Sequence, residues 1–552
     1  MGIMCLGTEL PRWQKLCLEH MLATGLVEIS LLILDDPANY PQRSRLQKVK
    51  DIAPSRLLFT AYTRTLYKPA SMRPEDAGDL LQGVPTISCV VRKKGKYSQY
   101  FSAEDLETIR SYRLDIILRF GFNIIRGDIL KVPAYGVWSF HHDDELKYRG
   151  GPPCFWEIYK GDPETGSVLQ RLTNKLDGGV VLKKGIFRTK RHSYVKNVDQ
   201  AYYESAKWPA WVCQDIARGN AAYLNDPPTP TTAPIYRYPT NLQFIRFLFL
   251  LGGNIAKALW FRLFVMQKWN VALLEGTMAD LLAAPEKMPK KLLRHKNKST
   301  FNADCFGAVL PEGDTAVFFE ELDYSDGGRG KLLVARLDAA GKELERYKPQ
   351  GLDITCHASY PYLFHENGDT YLIPETGAAG KVSLYRAVAF PKQWVWERDL
   401  LKGDAFADAT LLRHENRYWL FYTVHNQQYD GDQHLHLAFS DSLSAPFTPH
   451  PGNPVKISAR SARPAGTPYL DAAGNLIRPA QNFCRTYGGS VVLNRIITLT
   501  PTEFVEEEIK ELRPFDAYYK DGLHTISKVT DRQWLIDMKR HVFRLLWPLR
   551  KK

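Results

Sequence analysis

The 552-residue sequence is poor in cysteine, and none of its eight cysteines stands in a metal-binding register. Cys5, Cys17, Cys89, Cys154, Cys213, Cys305, Cys356 and Cys484 form no CxxC pair and no tight cluster with histidine. That excludes a zinc ribbon and a disulfide scaffold, predicts no metal, and suits a reduced, cytoplasmic chain. The first residues do not read as a secretory leader, because Glu9, Arg12, Lys15 and Glu19 interrupt any early apolar run. No stretch reaches the roughly 20 unbroken apolar residues of a spanning helix. The best candidate, 242–266, is broken by Arg246, Lys257 and Arg262. It reads as a buried or interfacial helix pair bent at Gly252-Gly253, with peripheral membrane contact as a further reading.

What is present is globular. Apolar residues make up 44%, aromatic residues 12% and charged residues 24%, which leaves little room for disorder. The length implies two or three domains. Lys and Arg number 73 against 60 Asp and Glu, for a net charge of +13. Such a surface suits anionic partners, or is simply basic.

The first 200 residues alternate strand-like and helix-like segments. Strands are predicted at 3–7, 27–34, 115–117 and 136–140, with a helix over 13–24, a pattern of parallel, Rossmann-like sheets. A Pro/Thr run at 227–234 reads as a linker. Beyond residue 268 the texture becomes short β-rich runs between Gly, Asp and Asn turns. Four units recur, built on Asn302–Phe306, Tyr360–Leu363, Phe406–Leu412 and Gly466–Leu470. Their spacing, on the order of 50 residues, is that of a propeller blade. About five such sheets would make a small β-propeller, with an irregular β-sandwich as the alternative.

The chemistry-bearing stretch is 136–166, GVWSFHHDDELKYRGGPPCFWEIYKGDPETG, followed by LTNKLDGGVVL at 172–182. On the residues alone, His141 at a strand end and Asp177 in a Leu-Asp-Gly-Gly turn are a candidate base and orienter. Arg149 sits in a rigid Gly/Pro loop. Taken together, His141, Arg149-Gly150, Gly161-Asp162, Thr165-Gly166 and Asp177 resemble the catalytic segment of the 10-formyltetrahydrofolate-dependent formyltransferases. The likeness includes the sugar N-formyltransferases. The resemblance implies that His141 moves the proton of an attacking amine and that Asp177 orients it. It places Phe120, Gly121 and Phe122 near the pterin, with Asp177 at the same cofactor pocket, and gives Arg149 either a ligand or a loop-bracing role. Two positions depart from the pattern. Ser139 stands where the family has an asparagine that donates to the tetrahedral oxygen, and Asp143-Asp144-Glu145-Leu146 replaces Ser-Leu-Leu-Pro. His142 is a candidate replacement donor. The acidic loop reads as a cation or amine site, or as a solvated turn.

The second half resembles the five-bladed propellers of glycoside hydrolase family 43-like proteins and the N-terminal domain of glucosamine inositolphosphorylceramide transferases. Asn302–Phe306, Tyr371–Glu375, Phe406–Thr410, Tyr487–Ser490 and Gly522–Thr525 carry that likeness. It implies that Asp304, Glu375 and Asp408 meet His357 and His524 at a central funnel. There they would bind sugar or, as a carboxylate pair about 5–9 Å apart, cleave a glycosidic bond. Tyr360, Trp419 and Tyr422 suit sugar stacking. The expected plan is thus an α/β Rossmann-like formyltransferase domain at 1–205, then a linker and apolar helical segment at 206–266. An all-β five-bladed propeller follows at 267–540, with a basic tail at 541–552. The expected function is formyl transfer from 10-formyltetrahydrofolate to an amino sugar, nucleotide- or lipid-linked, without nucleic acid. The alternative is a glycan-processing or carbohydrate-binding protein acting through the second half.

Overall fold

The structure is a computed structural model and describes residues 1–40, 53–95, 97–426 and 431–544. Most of the basic tail expected at 541–552 lies outside the described residues. The chain forms two compact units, Met1–Ala258 and Leu259–Lys552.

The first unit is built on a seven-stranded sheet: β1 (Gly2–Cys5), β2 (Leu31–Asp35), β3 (Thr86–Cys89), β4 (Ile117–Arg119), β5 (Val137–His141), β6 (Glu164–Arg171) and β7 (Val180–Arg188). Their order across the sheet is β7-β6-β5-β4-β1-β2-β3. The five from β5 to β3 run parallel, and β6 and β7 add an antiparallel edge. The central strands are almost wholly buried, as the apolar runs GIMC and LLILD require for a sheet covered on both faces. Helix α1 (Arg12–Ala23) buries Trp13, Cys17, Leu18 and Met21, one stripe at helical spacing. Helix α2 (Tyr194–Ser205) starts at Ser193, whose hydroxyl accepts the Lys196 N–H. Strand order reverses between β1 and β4, which places a crevice at their carboxyl ends.

The Pro/Thr segment read as a linker is part of this unit. Thr229 donates its N–H to the Gly179 carbonyl, Thr231 bonds the Glu145 carbonyl, and Ile235–Tyr236 pairs in parallel with Arg149–Gly150. Proline lacks a donor, but the carbonyls and intervening Thr groups of such a run remain free to bond. The apolar segment that follows is one helix, α3 (Asn241–Phe264), not a bent pair. Glycine costs a helix only about 1 kcal/mol relative to alanine, and Leu- and Ala-rich turns flank Gly252-Gly253. By length and composition α3 is long enough and apolar enough to cross a membrane, and only 11% of its most apolar stretch is buried.

Among the described residues, the second unit holds five antiparallel sheets. Strand β8 (Val265–Glu275) pairs along its whole length with β12 (Gln533–Phe543), so the two ends of the unit share a sheet. Between them come four meanders, whose first strands include β9 (Thr300–Val309), β10 (Ser359–Glu366) and β11 (Ala405–His414). Each of these three breaks register at the same relative place. There Asp304, Tyr360 and Asp408 take φ of 53°, 43° and 49°. Non-glycine residues at positive φ are uncommon, and three repeated ones mark bulges that re-aim side chains.

Strand alternation on β5 divides its residues between two faces. Phe140 and His142 face α1 and α2. The His142 ring stacks 3.6 Å from Tyr202, meets Trp13 edge-on, and bonds the Ser205 hydroxyl through Nε2 at 3.1 Å. His142 is therefore a core residue rather than a replacement donor. Burial pushes its pKa down to about 3. Its unfolded value is near 6.5, so its contribution to stability is complete above that pH and is lost as pH falls toward 3. Taking the protein from neutral to about pH 5 should remove about 2 kcal/mol through this residue. An NMR titration of the histidines, paired with urea unfolding at both pH values, tests this: a His142 ring that protonates near pH 6.5 contradicts it.

Candidate functional site

At the crevice edge, β4 ends in Arg119 and β5 ends in His141, with Ser139 on the same face as His141. The Ser139 oxygen accepts from Arg119 Nε at 3.2 Å and Nη2 at 3.0 Å. The guanidinium is anchored further by the Phe122 and Asn123 carbonyls, at 3.1 and 2.7 Å. Burial lowers the Arg119 pKa, while the nearby Asp177 charge raises it, and the group stays cationic. Sequence reasoning had not singled out Arg119; its only signal was a lone cation closing an apolar strand.

His141 Nε2 lies 2.8 Å from the Tyr148 carbonyl, which can only accept, so Nε2 carries a proton. Nδ1 then faces Asp177 Oδ1 at 3.7 Å, too far for a hydrogen bond but within ion-pair range. Neutral His141 thus keeps its free lone pair at Nδ1, where a second proton would meet the carboxylate. Asp177 occupies a left-handed position, φ 51°, and its Oδ2 accepts the Gly150 N–H at 3.2 Å. Arg149 is directed at the loop itself. It donates to the Leu176 carbonyl at 2.7 Å and to the Ala233 carbonyl at 3.4 Å, so it braces the turn that carries Asp177.

The 120–122 turn crosses the point where strand order reverses. The Phe120 and Gly121 N–H groups both donate to the Met4 carbonyl, and Phe122 takes φ 64°. A Cβ at Gly121 would sit 2.9 Å from the Cys5 carbonyl carbon, so only glycine allows this approach to the end of β1. The acidic loop is neither a cation site nor a solvated turn. Asp144 and Glu145 are buried and paired with Lys184, at 2.7 and 3.0 Å. Asp143 accepts the Cys154 N–H at 2.7 Å and lies beside the buried Glu157. Burial raises both carboxyls, Glu157 to about 7, so at least one is protonated near neutrality.

In the second unit the bulged residues meet carboxylates from the strands behind them. The Asp304 N–H donates to Asp537 Oδ2 at 2.9 Å, and the Asp408 N–H to Glu375 Oε2 at 2.9 Å. Asp537 accepts four bonds: His524 N–H and Thr525 N–H on Oδ1, and Asp304 N–H and His524 Nδ1 on Oδ2, the last at 2.6 Å. Burial opposes a charged His524, yet Asp537 and Asp304 raise its pKa above the ordinary value. The ring stacks 4.0 Å from Trp269 and points Nε2 at Asp304 Oδ1, 3.7 Å away. Asp304, His524 and Asp537 are close enough to cradle a cation, but the hydrogen bonds already present occupy both Asp537 oxygens.

Asp408 is met by Arg463 Nε and by Gln481 at 2.6 Å, and Arg463 also reaches Asp432 at 3.0 Å and Glu375 at 3.6 Å. Loss of water pushes the Asp408 carboxyl up to about 7 against the pull of Arg463, and the Asp304 carboxyl up to about 6 against that of His524. His357 Nε2 lies 3.4 Å from Glu320, a buried acid raised by burial and by the nearby Asp304, Glu375, Asp537 and Asp408. The structure therefore pairs Asp304 with His524 and Glu375 with Asp408, and holds the two pairs close enough to act on each other and on Glu320 electrostatically. It adds Glu320, Asp537, Arg463 and Gln481, which sequence reasoning missed. Tyr360, Trp419 and Tyr422 are core residues, at most 5% exposed, and offer no stacking face. An aromatic residue on a propeller-like strand packs between sheets as readily as it faces a ligand, and the sequence alternation alone does not distinguish the two.

A profile of the family described as "Glucosamine inositolphosphorylceramide transferase 1, N-terminal" matches residues 261–517. Glucosamine inositolphosphorylceramide transferase 1 of Arabidopsis thaliana is 34% identical over 218 residues, 38% of this chain and 27% of that protein. Methionyl-tRNA formyltransferase of Prochlorococcus marinus is 39% identical over 75 residues, 13% of this chain and 22% of that protein. A solved glycosyl hydrolase of Bacteroides ovatus shares 13% identity at a TM-score of 0.33, covering 43% of this chain and 83% of that structure. The chain thus spans about a quarter of the length of these two curated relatives.

Replacing Asp537 tests how far the second site depends on one buried anion. Asp537→Asn turns an acceptor toward N–H groups into a donor and leaves His524 without its counter-charge. The substitution should destabilise the second unit by about 3 kcal/mol or more, read from its thermal unfolding midpoint. An unchanged midpoint contradicts this reading.

Proposed function

We propose that this chain N-formylates the amine of an amino sugar, nucleotide- or lipid-linked, in the cytoplasm, with 10-formyltetrahydrofolate as donor. In this reading the five sheets of the second unit close into a five-bladed propeller that binds the glycan part of the acceptor. The observation that carries the proposal is the Ser139–Arg119 pair beside the His141–Asp177 pair at the carboxyl edge of the parallel sheet.

That donor set fits a formyl carbonyl. The Ser139 oxygen receives two guanidinium N–H bonds, and its own proton remains to be given. A hydroxyl that accepts from a cation is a stronger donor, so Ser139 supplies the hydrogen bond that the asparagine supplies in the resembling family. The folate, when bound, contributes an activated formyl carbon. Attack by the acceptor amine forms a C–N bond there, and the bond to the folate nitrogen breaks. His141 takes the amine proton at Nδ1, Asp177 stabilises the resulting imidazolium, and the proton is returned to the leaving nitrogen. The backbone of Phe120, Gly121 and Phe122 would border the crevice in which a planar ring system would lie, while the Phe120 and Phe122 rings pack on Trp13 and Phe101. Arg149 acts through Asp177 by holding its turn.

A second reading is favoured by Asp304 and Asp408, two buried acids whose raised pKa values suit proton donation near neutrality. It places glycan processing in the second unit and leaves the first without catalysis.

Incubation with 10-formyltetrahydrofolate and a panel of amino-sugar nucleotides, following tetrahydrofolate release, separates the two. His141→Ala should lower turnover by about 10²–10⁴, and Ser139→Ala by about 10². Asp408→Asn should alter the acceptor KM rather than kcat. Absence of both turnover and folate binding sinks the proposal. Glycan turnover that survives His141→Ala but not Asp408→Asn establishes the second reading.

A further inference from the structure

Helix α3 has two apolar sides, and the core covers only one. Phe244 and Phe247 are buried, the latter stacked 4.3 Å from Phe155, and Leu251 packs behind them. Asn254 donates to the Arg191 carbonyl at 3.2 Å. Asn241 donates to the Pro54 carbonyl at 2.8 Å and accepts the Leu58 N–H at 3.0 Å. The other side is bare. Leu242 is 76% exposed, Phe249 77%, and Ile245, Leu248, Ile255 and Leu259 between 40% and 51%. At 3.6 residues per turn these six fall within an arc of about 140°, in which Asn241, already bonded to the Pro54 and Leu58 backbone, is the one polar side chain. Arg246 and Lys257 fall just beyond one edge of this arc and Arg262 just beyond the other, and the helix contains no acidic residue. Leu58, tied to the first turn of α3, is a further exposed apolar side chain at 41%.

We propose that this stripe is a membrane-docking surface: α3 lies in the plane of an anionic bilayer, with its bare face in the headgroup–acyl boundary. An exposed apolar stripe of this length is rare on a soluble chain that has no partner for it. Its basic borders match acidic lipid headgroups, as does the net charge of +13, and they mismatch an apolar protein groove. A spanning orientation would require Phe244 and Phe247 to leave the core and the Asn241 and Asn254 bonds to break. In-plane docking keeps all of them.

The test uses the full chain and vesicles of phosphatidylcholine, with and without phosphatidylserine. The expected result is co-flotation with the phosphatidylserine vesicles, weakened by salt and reversed by an alkaline carbonate wash. The double substitution Leu242→Glu/Phe249→Glu changes only exposed side chains and should weaken binding about tenfold or more. Lys257→Glu should weaken binding to the anionic vesicles alone, and Trp396→Glu, an exposed apolar residue of the second unit, should leave it unchanged. Circular dichroism confirms that each variant is folded. Flotation that the double variant retains, or no flotation at all, overturns the proposal. Resistance to carbonate would show a spanning helix and overturn it too. So would a dimer in sedimentation velocity that the double variant dissolves, because a second copy would then be the occupant.

Discussion

A carboxylate taken out of water costs several kcal/mol unless a cation or several N–H groups meet it, and both candidate sites are arranged around that requirement. In the first unit Lys184 pairs with both Asp144 and Glu145, Lys147 adds to it at Asp144, and together they pin the chain that leaves β5 just beyond His141. Asp143 and Glu157 lie side by side, and burial raises both carboxyls so that at least one holds a proton near neutrality. In the second unit Asp537 is satisfied by four donors, three of them backbone N–H groups, and that arrangement fixes both the His524 ring and the Asp304 bulge. Arg463 does the same for Asp408, Glu375 and Asp432. The same rule operates away from the sites, where Arg478 and Lys456 hold the buried Glu506 below its usual range against the cost of burial.

The consequence is a division between anions that position and anions left adjustable. Asp537 and Glu506 are saturated and stay ionised. Asp304 and Asp408 are buried with fewer partners, so their protonation responds to whatever enters beside them. In the proposed reading a glycan hydroxyl or amine is the additional partner. The same contrast appears in the first unit between Lys184, fully engaged, and Ser139, which still has a proton to give.

Much of this was legible in the residues. The alternation of strand and helix in the first 200 residues and the blade-like recurrence after residue 268 follow from local pattern and spacing, whereas the meeting of His141 with Asp177 was carried by the resemblance to a known family. The placement of β2 was off by a few residues, because VEIS before LLIL is equally β-prone and only the pairing with β1 decides between them. The acidic loop was misread for a different reason. Asp143-Asp144-Glu145 looks solvated until Lys184 on β7 arrives opposite it, and that pairing is set by the antiparallel register of β6 and β7. Helix α3 was misread because charges and a glycine pair were taken as breaks. Arg246, Lys257 and Arg262 fall at the edges of the apolar arc, where they interrupt the run in sequence and leave the face intact.

Arg119 shows why a site motif read one position at a time understates what a substitution does. Serine at position 139 is shorter than the asparagine of the resembling family and would by itself forfeit a donor. A residue on the neighbouring strand β4 closes the gap, because β4 and β5 pair in parallel, with Trp138 opposite Leu118, and the Arg119 guanidinium reaches the Ser139 oxygen. The two residues form one unit: the arginine donates to the serine oxygen and fixes its rotamer, the Phe122 and Asn123 carbonyls fix the arginine, and in the proposed reaction the serine hydroxyl donates the hydrogen bond. Neither half makes sense alone. A buried guanidinium without an acceptor beside it would be costly, and a serine without the guanidinium would be a weak, freely rotating donor. In the proposed reaction the departure at Ser139 is therefore a change in how the carbonyl oxygen is held, carried by a residue 20 positions earlier in the chain.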